Sequence, residues 1–186
     1  MISLGITGRA RGGKSTVASA IVKEANKKGL TAEIFELSAY VLKDAISQGL
    51  IPTGKSREDL TPKEVEQLVV VGTQRREEHP DYWIRMMKRD VRERKADVAI
   101  IPNVRYLNEA QAVRDLGGNI VRVQAYVADN VEWVSRDRDP NHSSEIENYQ
   151  IQADYFLVTR RGQSYLLGRQ AATLFNYLIE GADHAN

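Results

Sequence analysis

A chain of 186 residues with 42% hydrophobic content is long enough to build one domain around a substantial core. Its 26 basic and 25 acidic residues leave a net charge of +1, which gives no global attraction to nucleic acid or to a membrane surface, and the lack of cysteine excludes disulfides and cysteine-based metal sites or nucleophiles. No apolar run reaches the length of a spanning helix and residues 1–4 lack the features of a signal peptide, so a soluble cytoplasmic protein is the expectation.

Short apolar runs alternate with helical patterns, which is the layout of a parallel sheet covered by helices. Residues 2–7 read as the first strand. Residues 14–28 read as a helix, with Val17, Ala18, Ile21, Val22 and Ala25 on its inner side and Gly29 as its stop. Residues 32–37 are a second strand candidate, Ser38 is the candidate cap of a helix through Ser47, and residues 49–59 are loop-like. Thr61 is a cap, Pro62 suits the first helical position and Glu64 completes a capping box. That helix runs to about Glu78, because Pro80 biases His79 away from helical angles. Asp81 opens another helix whose apolar face is Trp83, Ile84, Met87 and Val91.

Residues 97–102 read as a buried strand, apolar without alternation. Residues 108–116 form a helix with Ala110, Val113 and Leu116 aligned, stopped by Gly117 and Gly118. Residues 120–126 are another strand, 129–148 are polar and irregular, 154–159 are a last strand and 164–179 a closing helix. No repeat or linker interrupts the pattern. It predicts a single α/β domain, with a central parallel sheet of about five strands flanked by helices.

Residues 8–15, Gly-Arg-Ala-Arg-Gly-Gly-Lys-Ser, match the Walker A pattern, with Thr16 following. Gly8, Gly12 and Gly13 let the backbone wrap close to phosphate oxygens, with successive N–H groups, that of Arg11 included, pointing inward. The helix that starts at Lys14 adds its positive dipole end. Lys14 supplies a mobile cation for the β- and γ-phosphates of ATP, and the Ser15 hydroxyl is a ligand for Mg²⁺. A strand directly before the motif and a good helix directly after it separate it from a chance glycine-rich turn.

Three classes of P-loop protein compete: a small-molecule kinase, a GTPase switch, and an ATP-driven motor or nucleic-acid enzyme. A guanine-reading Asn-Lys-x-Asp motif is absent, which disfavours the switch. A motor ends a core strand with an acidic pair, whereas here Pro102, Asn103, Val104 and Arg105 follow the apolar run. A kinase whose acceptor is already an anionic phosphate needs only positioning and charge neutralisation. Arg105, at a strand end where open α/β sheets bind ligands, is a catalytic candidate; its bland reading is an ion pair with a surface carboxylate. Arg136 and Arg138 either belong to a lid (about 129–148) that closes over the phosphates, or pair with neighbouring aspartates on a solvated loop.

Residues 8–16, Leu37 to Tyr40, Leu42 to Ala45, Gly72 and Thr73, Asp81 to Trp83, Ile101 to Arg105, Ala110 to Gly118 and His142 to Glu145 together carry a resemblance. In this order they are similar to the deoxynucleoside monophosphate kinases of tailed bacteriophages, relatives of animal phosphomevalonate kinases. The resemblance covers nearly the whole chain. It implies an NMP-kinase-like P-loop fold, ATP and Mg²⁺ as cofactors, and a deoxynucleoside monophosphate as the acceptor, in the cytoplasm (a host's, for a phage-encoded chain). It also makes a homodimer an expectation. It maps acceptor contacts onto Ser38, Tyr40, Arg76, Trp83, Asn103 and Arg105. For Trp83 a stacking platform for the base and ordinary core packing both stand.

Phage relatives carry aspartate where this chain has Asn103. An amide orients water or a substrate hydroxyl but adds no charge for Mg²⁺, so the metal relies on Ser15, phosphates and water, or on another carboxylate such as Glu36 or Asp97. The basic residues Arg85, Lys88, Arg89, Arg92, Arg94 and Lys95 are interleaved with Asp90 and Glu93, which reads as a solvated face and not as a nucleic-acid site. Two alternatives to the leading reading remain: a kinase of another small phosphorylated metabolite, and a nucleotide-binding regulatory protein that has lost catalysis.

Overall fold

The computed structural model of the chain describes residues 1–129, 131–135 and 143–183. In chain order its elements are β1 (Ile2–Thr7), α1 (Lys14–Lys27), β2 (Ala32–Ile34), α2 (Leu37–Ser47), a 3-10 turn (Arg57–Asp59), α3 (Pro62–Glu78) and α4 (Tyr82–Arg94). Then follow β3 (Val98–Pro102), α5 (Leu107–Asp115), β4 (Asn119–Ala128), β5 (Val131–Glu132), α6 (Ser143–Gln150), β6 (Tyr155–Arg160) and α7 (Ser164–Asp183). They form two compact units, Met1–Ile34 with Lys95–Asn186, and Phe35–Arg94.

The first unit holds a six-stranded sheet in the order β2-β3-β1-β4, with β5 and β6 both paired to β4. Every pairing is parallel except that of β5 with β4. The expected five-stranded parallel sheet is therefore present, with a two-residue antiparallel strand added. Strands β1 and β3 are buried on both faces, which is why they read as unbroken apolar runs. Leu4, Ile6, Ile100 and Val123 pack on Val17 and Ile21 of α1 and on Leu167 and Phe175 of α7. Strand β6 instead alternates buried and exposed residues. The Gln170 side chain takes both hydrogen bonds of Val158, accepting from its N–H at 3.0 Å and donating to its carbonyl at 2.8 Å, and so occupies that strand edge.

The second unit consists of α2, α3 and α4. Helix α3 starts as its residue types require: Thr61 caps it with the reciprocal Glu64 bond, and Pro62 takes the first position. Helix α4 buries Trp83, Ile84, Met87 and Val91, the face its spacing predicts.

Three expectations are corrected. Strand β2 ends at Ile34 and not at residue 37, and Phe35 and Leu37, both buried, belong to the second unit. Helix α2 therefore begins at Leu37, with Glu36 as its N-cap position, and Ser38 lies inside its first turn instead of capping it. The described part of residues 129–148 is not irregular throughout, since it holds β5 and the start of α6. Helix α6 escapes the hydrophobic pattern because its buried residues are the polar Ser144 and Asn148.

Candidate phosphate-binding site

Strand β1 delivers the chain to the Walker A loop at its C-terminal end. Gly8 follows at φ 132°, passing so close to β4 that a Cβ there would collide with the Val123 carbonyl. Gly13 takes the N-cap position of α1 at φ 100°, and no side chain caps the helix. The N–H groups of its first turn thus have no side-chain acceptor from the cap. Lys14 is 6% exposed, and its ammonium donates to the carbonyls of Gly8 at 2.9 Å and Arg9 at 2.7 Å. Ser15 and Thr16 are exposed on the same turn, as is Arg11 in the loop. A buried ammonium beside an uncapped helix start is a donor set for an anion with several oxygens.

The end of β3 lies beside this loop, because Ile6 pairs with Pro102 in parallel register. The ladder continues past Asn103: Val104 N–H donates to the Ile6 carbonyl at 3.0 Å, and the Thr7 hydroxyl donates to the Val104 carbonyl at 2.8 Å. Asn103 is accommodated between Pro102, the last paired residue of β3, and Val104, in the left-handed region at φ 61°. Arg105 comes next, half-buried, with its guanidinium 4.0 Å from Glu145 of α6. Its backbone N–H donates to Glu109 at 2.8 Å. The structure thus brings Lys14, Ser15, Asn103 and Arg105 to one edge of the sheet. It also gives Ser143 to Glu147 a place, for Tyr106 and Ser143 hydroxyls lie 3.5 Å apart and Leu107 N–H donates to Glu147 at 3.3 Å. The first turns of α6 dock on the turn between β3 and α5.

Arg136, Arg138 and His142 lie outside the described residues. Asp97 does not serve the metal. It sits at the opposite end of β3, bound to the Thr31 N–H and hydroxyl at 2.8 Å and 2.7 Å, about a strand length of ~16 Å from the phosphate loop. Among the described residues no group of three His, Asp or Glu is clustered as a metal site.

Residues that carry no motif complete the site. Arg122 of β4 stands opposite Thr7 in register and is buried, which pulls its pKa below the ordinary arginine value, with the charge of Glu132 acting the other way. Its guanidinium donates to the Asn148 side chain at 3.1 Å, and Asn148 in turn donates to the Gly8 carbonyl at 3.3 Å. Arg9 of the loop bonds Glu132 at 3.1 Å and lies over the Tyr149 ring, 4.6 Å from its centre. Arginine within the apolar run of β4 was the available signal, since burying a cation there demands partners.

A pocket of about 120 Å³ adjoins the loop, lined by Arg11, Gly12, Gly13, Trp133, Arg161 and Leu167 among others. The Arg161 guanidinium lies 3.2 Å from the centre of the Trp133 ring.

The other expected contacts belong to the second unit. Tyr40 donates to Asp90 at 3.1 Å, and burial, then the Asp90 charge and that bond, push its pKa up. Trp83 is 1% exposed, edge-on to Tyr82 at 4.8 Å, and its indole N–H donates to the Gly72 carbonyl at 3.2 Å. The same carbonyl accepts from Arg76 at 3.3 Å. In this structure core packing accounts for Trp83, whose ring has no open face for a base. The Ser38 hydroxyl is buried without a hydrogen-bond partner among the described residues.

The chain matches no protein-family model, and no curated protein matches it in sequence. Among solved structures, a gluconokinase from Sinorhizobium meliloti 1021 aligns with a TM-score of 0.51 over 99% of this chain and 97% of its own, at 15% identity. A shikimate kinase from Aquifex aeolicus vf5 aligns with a TM-score of 0.48 over 99% of both chains, at 14% identity. The mixed α/β architecture, a mostly parallel sheet flanked by helices, is that of the P-loop kinase folds. At such identities the likeness extends to the fold alone.

Proposed function

We propose that the chain is an ATP-dependent kinase of a small phosphorylated metabolite, and that this metabolite is a deoxynucleoside monophosphate. The observation that carries the kinase reading is the buried Lys14 ammonium within a loop that opens an uncapped helix, beside Arg105 at the next strand end. A polyphosphate fits this donor set: residues 8–16 would hold the β- and γ-phosphates, with Ser15 as the protein's ligand to Mg²⁺. Bound MgATP supplies the transferable phosphoryl group and a metal ion that spreads its charge.

The chain's own residues then act by position and charge. Lys14 turns from the loop carbonyls to the phosphates, and the planar guanidinium of Arg105 meets phosphate oxygens in pairs. Arg136 and Arg138 are retained as further phosphate-facing charges because they lie in a polar segment between strands. The pocket beside the loop, with the Trp133 and Arg161 pair in its lining, is the place we assign to the base of the donor nucleotide.

Asn103 bears on the acceptor. A hydroxyl acceptor needs a group to take its proton, which an amide cannot do, whereas a phosphate oxygen is already an anion. That favours a phosphorylated acceptor, and the resemblance to phage enzymes points to a deoxynucleoside monophosphate. The Ser38 hydroxyl, buried and without a hydrogen-bond partner among the described residues, supports its assignment to the acceptor site. Tyr40 and Arg76 keep theirs from the resemblance, with Trp83 as the packing support of the Gly72 carbonyl that Arg76 shares. The same Asn103 observation favours, as a second reading, a kinase of another phosphorylated metabolite.

The test is MgATP-dependent ADP release with each deoxynucleoside monophosphate, phosphomevalonate, gluconate and no acceptor. The expected result is release that depends on at least one deoxynucleoside monophosphate and is absent with gluconate. Release with phosphomevalonate alone would move the acceptor to the second reading. No acceptor-dependent release at all would leave a nucleotide-binding protein without transfer and overturn the proposal.

A further inference from the structure

The Gly8 carbonyl oxygen accepts two hydrogen bonds, from Lys14 Nζ at 2.9 Å and from Asn148 Nδ2 at 3.3 Å. A carbonyl oxygen has two lone pairs, and both are in use. Asn148 is 3% exposed, and its orientation is set from behind. Its Oδ1 accepts from Arg122 at 3.1 Å, and Arg122 also donates to the Asn148 and Ile151 carbonyls at 2.6 Å and 2.8 Å. Arginine has donors only, so it selects the oxygen end of the amide and leaves the NH₂ end to face Gly8. The same guanidinium stands at the C-terminal end of α6, where a cation is favoured.

Resting on the phosphate-loop reading above, we infer that Asn148 is a positioning residue for phosphate binding: it keeps the Gly8 carbonyl satisfied when Lys14 leaves it for the phosphates. Without phosphate, Lys14 is held by the Gly8 and Arg9 carbonyls. In this inference the ammonium exchanges its bond to the Gly8 carbonyl for one to a phosphate oxygen, its other N–H groups remaining for the Arg9 carbonyl or further oxygens. A buried carbonyl that loses its donor costs the desolvation of that group, which offsets part of what the phosphate contact contributes. With Asn148 in place the Gly8 oxygen still has one donor after Lys14 has moved. Arg122 acts through Asn148, as the group that prevents the amide from flipping its acceptor end toward the carbonyl.

The inference makes the effect of Asn148 depend on Lys14. Where Lys14 is present, removing Asn148 leaves Gly8 satisfied before phosphate binds and bare afterwards, so the loss falls on affinity. Where Lys14 is replaced, removing Asn148 leaves Gly8 bare in both states, so the loss falls on stability.

Binding of MgATP and of inorganic tripolyphosphate to the full chain is measured by calorimetry for wild type, Asn148→Ala, Lys14→Met and the double variant, with the Tm of each unliganded protein. Asn148→Ala is expected to weaken tripolyphosphate roughly tenfold with Lys14 present. In the Lys14→Met background it is expected to change affinity by less than about twofold while lowering Tm further. Equal weakening in both backgrounds, or none in either, overturns the inference. If Asn148→Ala does not fold, Asn148→Asp replaces it, keeping the shape and a partner for Arg122; the loss of affinity must again be larger with Lys14 than without it. Coupling with tripolyphosphate in a protein that does not bind MgATP would uphold the inference and sink the nucleotide reading. Failure of the wild type to bind either probe would overturn the phosphate loop and this inference together.

Discussion

Asn103 combines a backbone requirement with a chemical one. Its φ of 61° falls where asparagine and aspartate are at home and branched residues are strained. The position lies between the pairing of Pro102 with Ile6 and the bonds of Val104 to Ile6 and Thr7, so the backbone cannot relax without loosening the start of the phosphate loop. Asn103→Asp should therefore fold as well as the wild type, while Asn103→Val should lose about 1–2 kcal/mol in denaturant unfolding. Equal stability of the two variants would show that the left-handed turn is not held. The residue is thus bound to the fold independently of whether it touches an acceptor. Lys14 and Arg105 were legible as candidates because motif and strand end announce them. Arg122 and Asn148 were not, because nothing in a single chain says which polar residues will meet in space.

At the scale of elements, α3 offers the clearest case of local chemistry setting a boundary. Glu64 accepts from the Thr61 N–H and hydroxyl at 2.8 Å each, and from Lys55 at 2.7 Å. The Lys55 bond, followed by those from Thr61, lowers the Glu64 pKa from the usual 4.5 to about 2. A carboxyl with a depressed folded pKa adds stability above its unfolded pKa and loses it as pH falls through the folded value. The stability difference between wild type and Glu64→Gln should thus be constant above about pH 5 and shrink from there toward pH 2. A difference that does not change across that range in thermal unfolding would contradict the paired geometry. Thr61→Ala should cost about 1 kcal/mol at neutral pH.

That helix was readable to within a residue because capping signals at its start and Pro80 just past its end fix both bounds. Helix α6 was not readable: its inward residues Ser144 and Asn148 are polar, and it has only eight residues over which a period could show. Strand β2 was overestimated because residues 35 and 37 are as apolar as strand residues, while they belong to the second unit.

For the whole molecule, the parallel sheet was legible from strands buried on both faces, and its strand order brings the ends of β1 and β3 side by side. That adjacency, which spacing alone does not give, turns two separate sequence features into one site. The proposed reaction at this site is transfer of the γ-phosphoryl group from ATP to a deoxynucleoside monophosphate. It is tested most directly by following the phosphorus signals of MgATP and the acceptor over time, with wild type and with Lys14→Ala. A deoxynucleoside diphosphate should appear in step with ADP in the wild type, and Lys14→Ala, still folded, should lose at least about tenfold of that rate, or ~1.4 kcal/mol. ADP formation with phosphate released to water and no new diphosphate, or a Lys14→Ala variant as fast as the wild type, would contradict it.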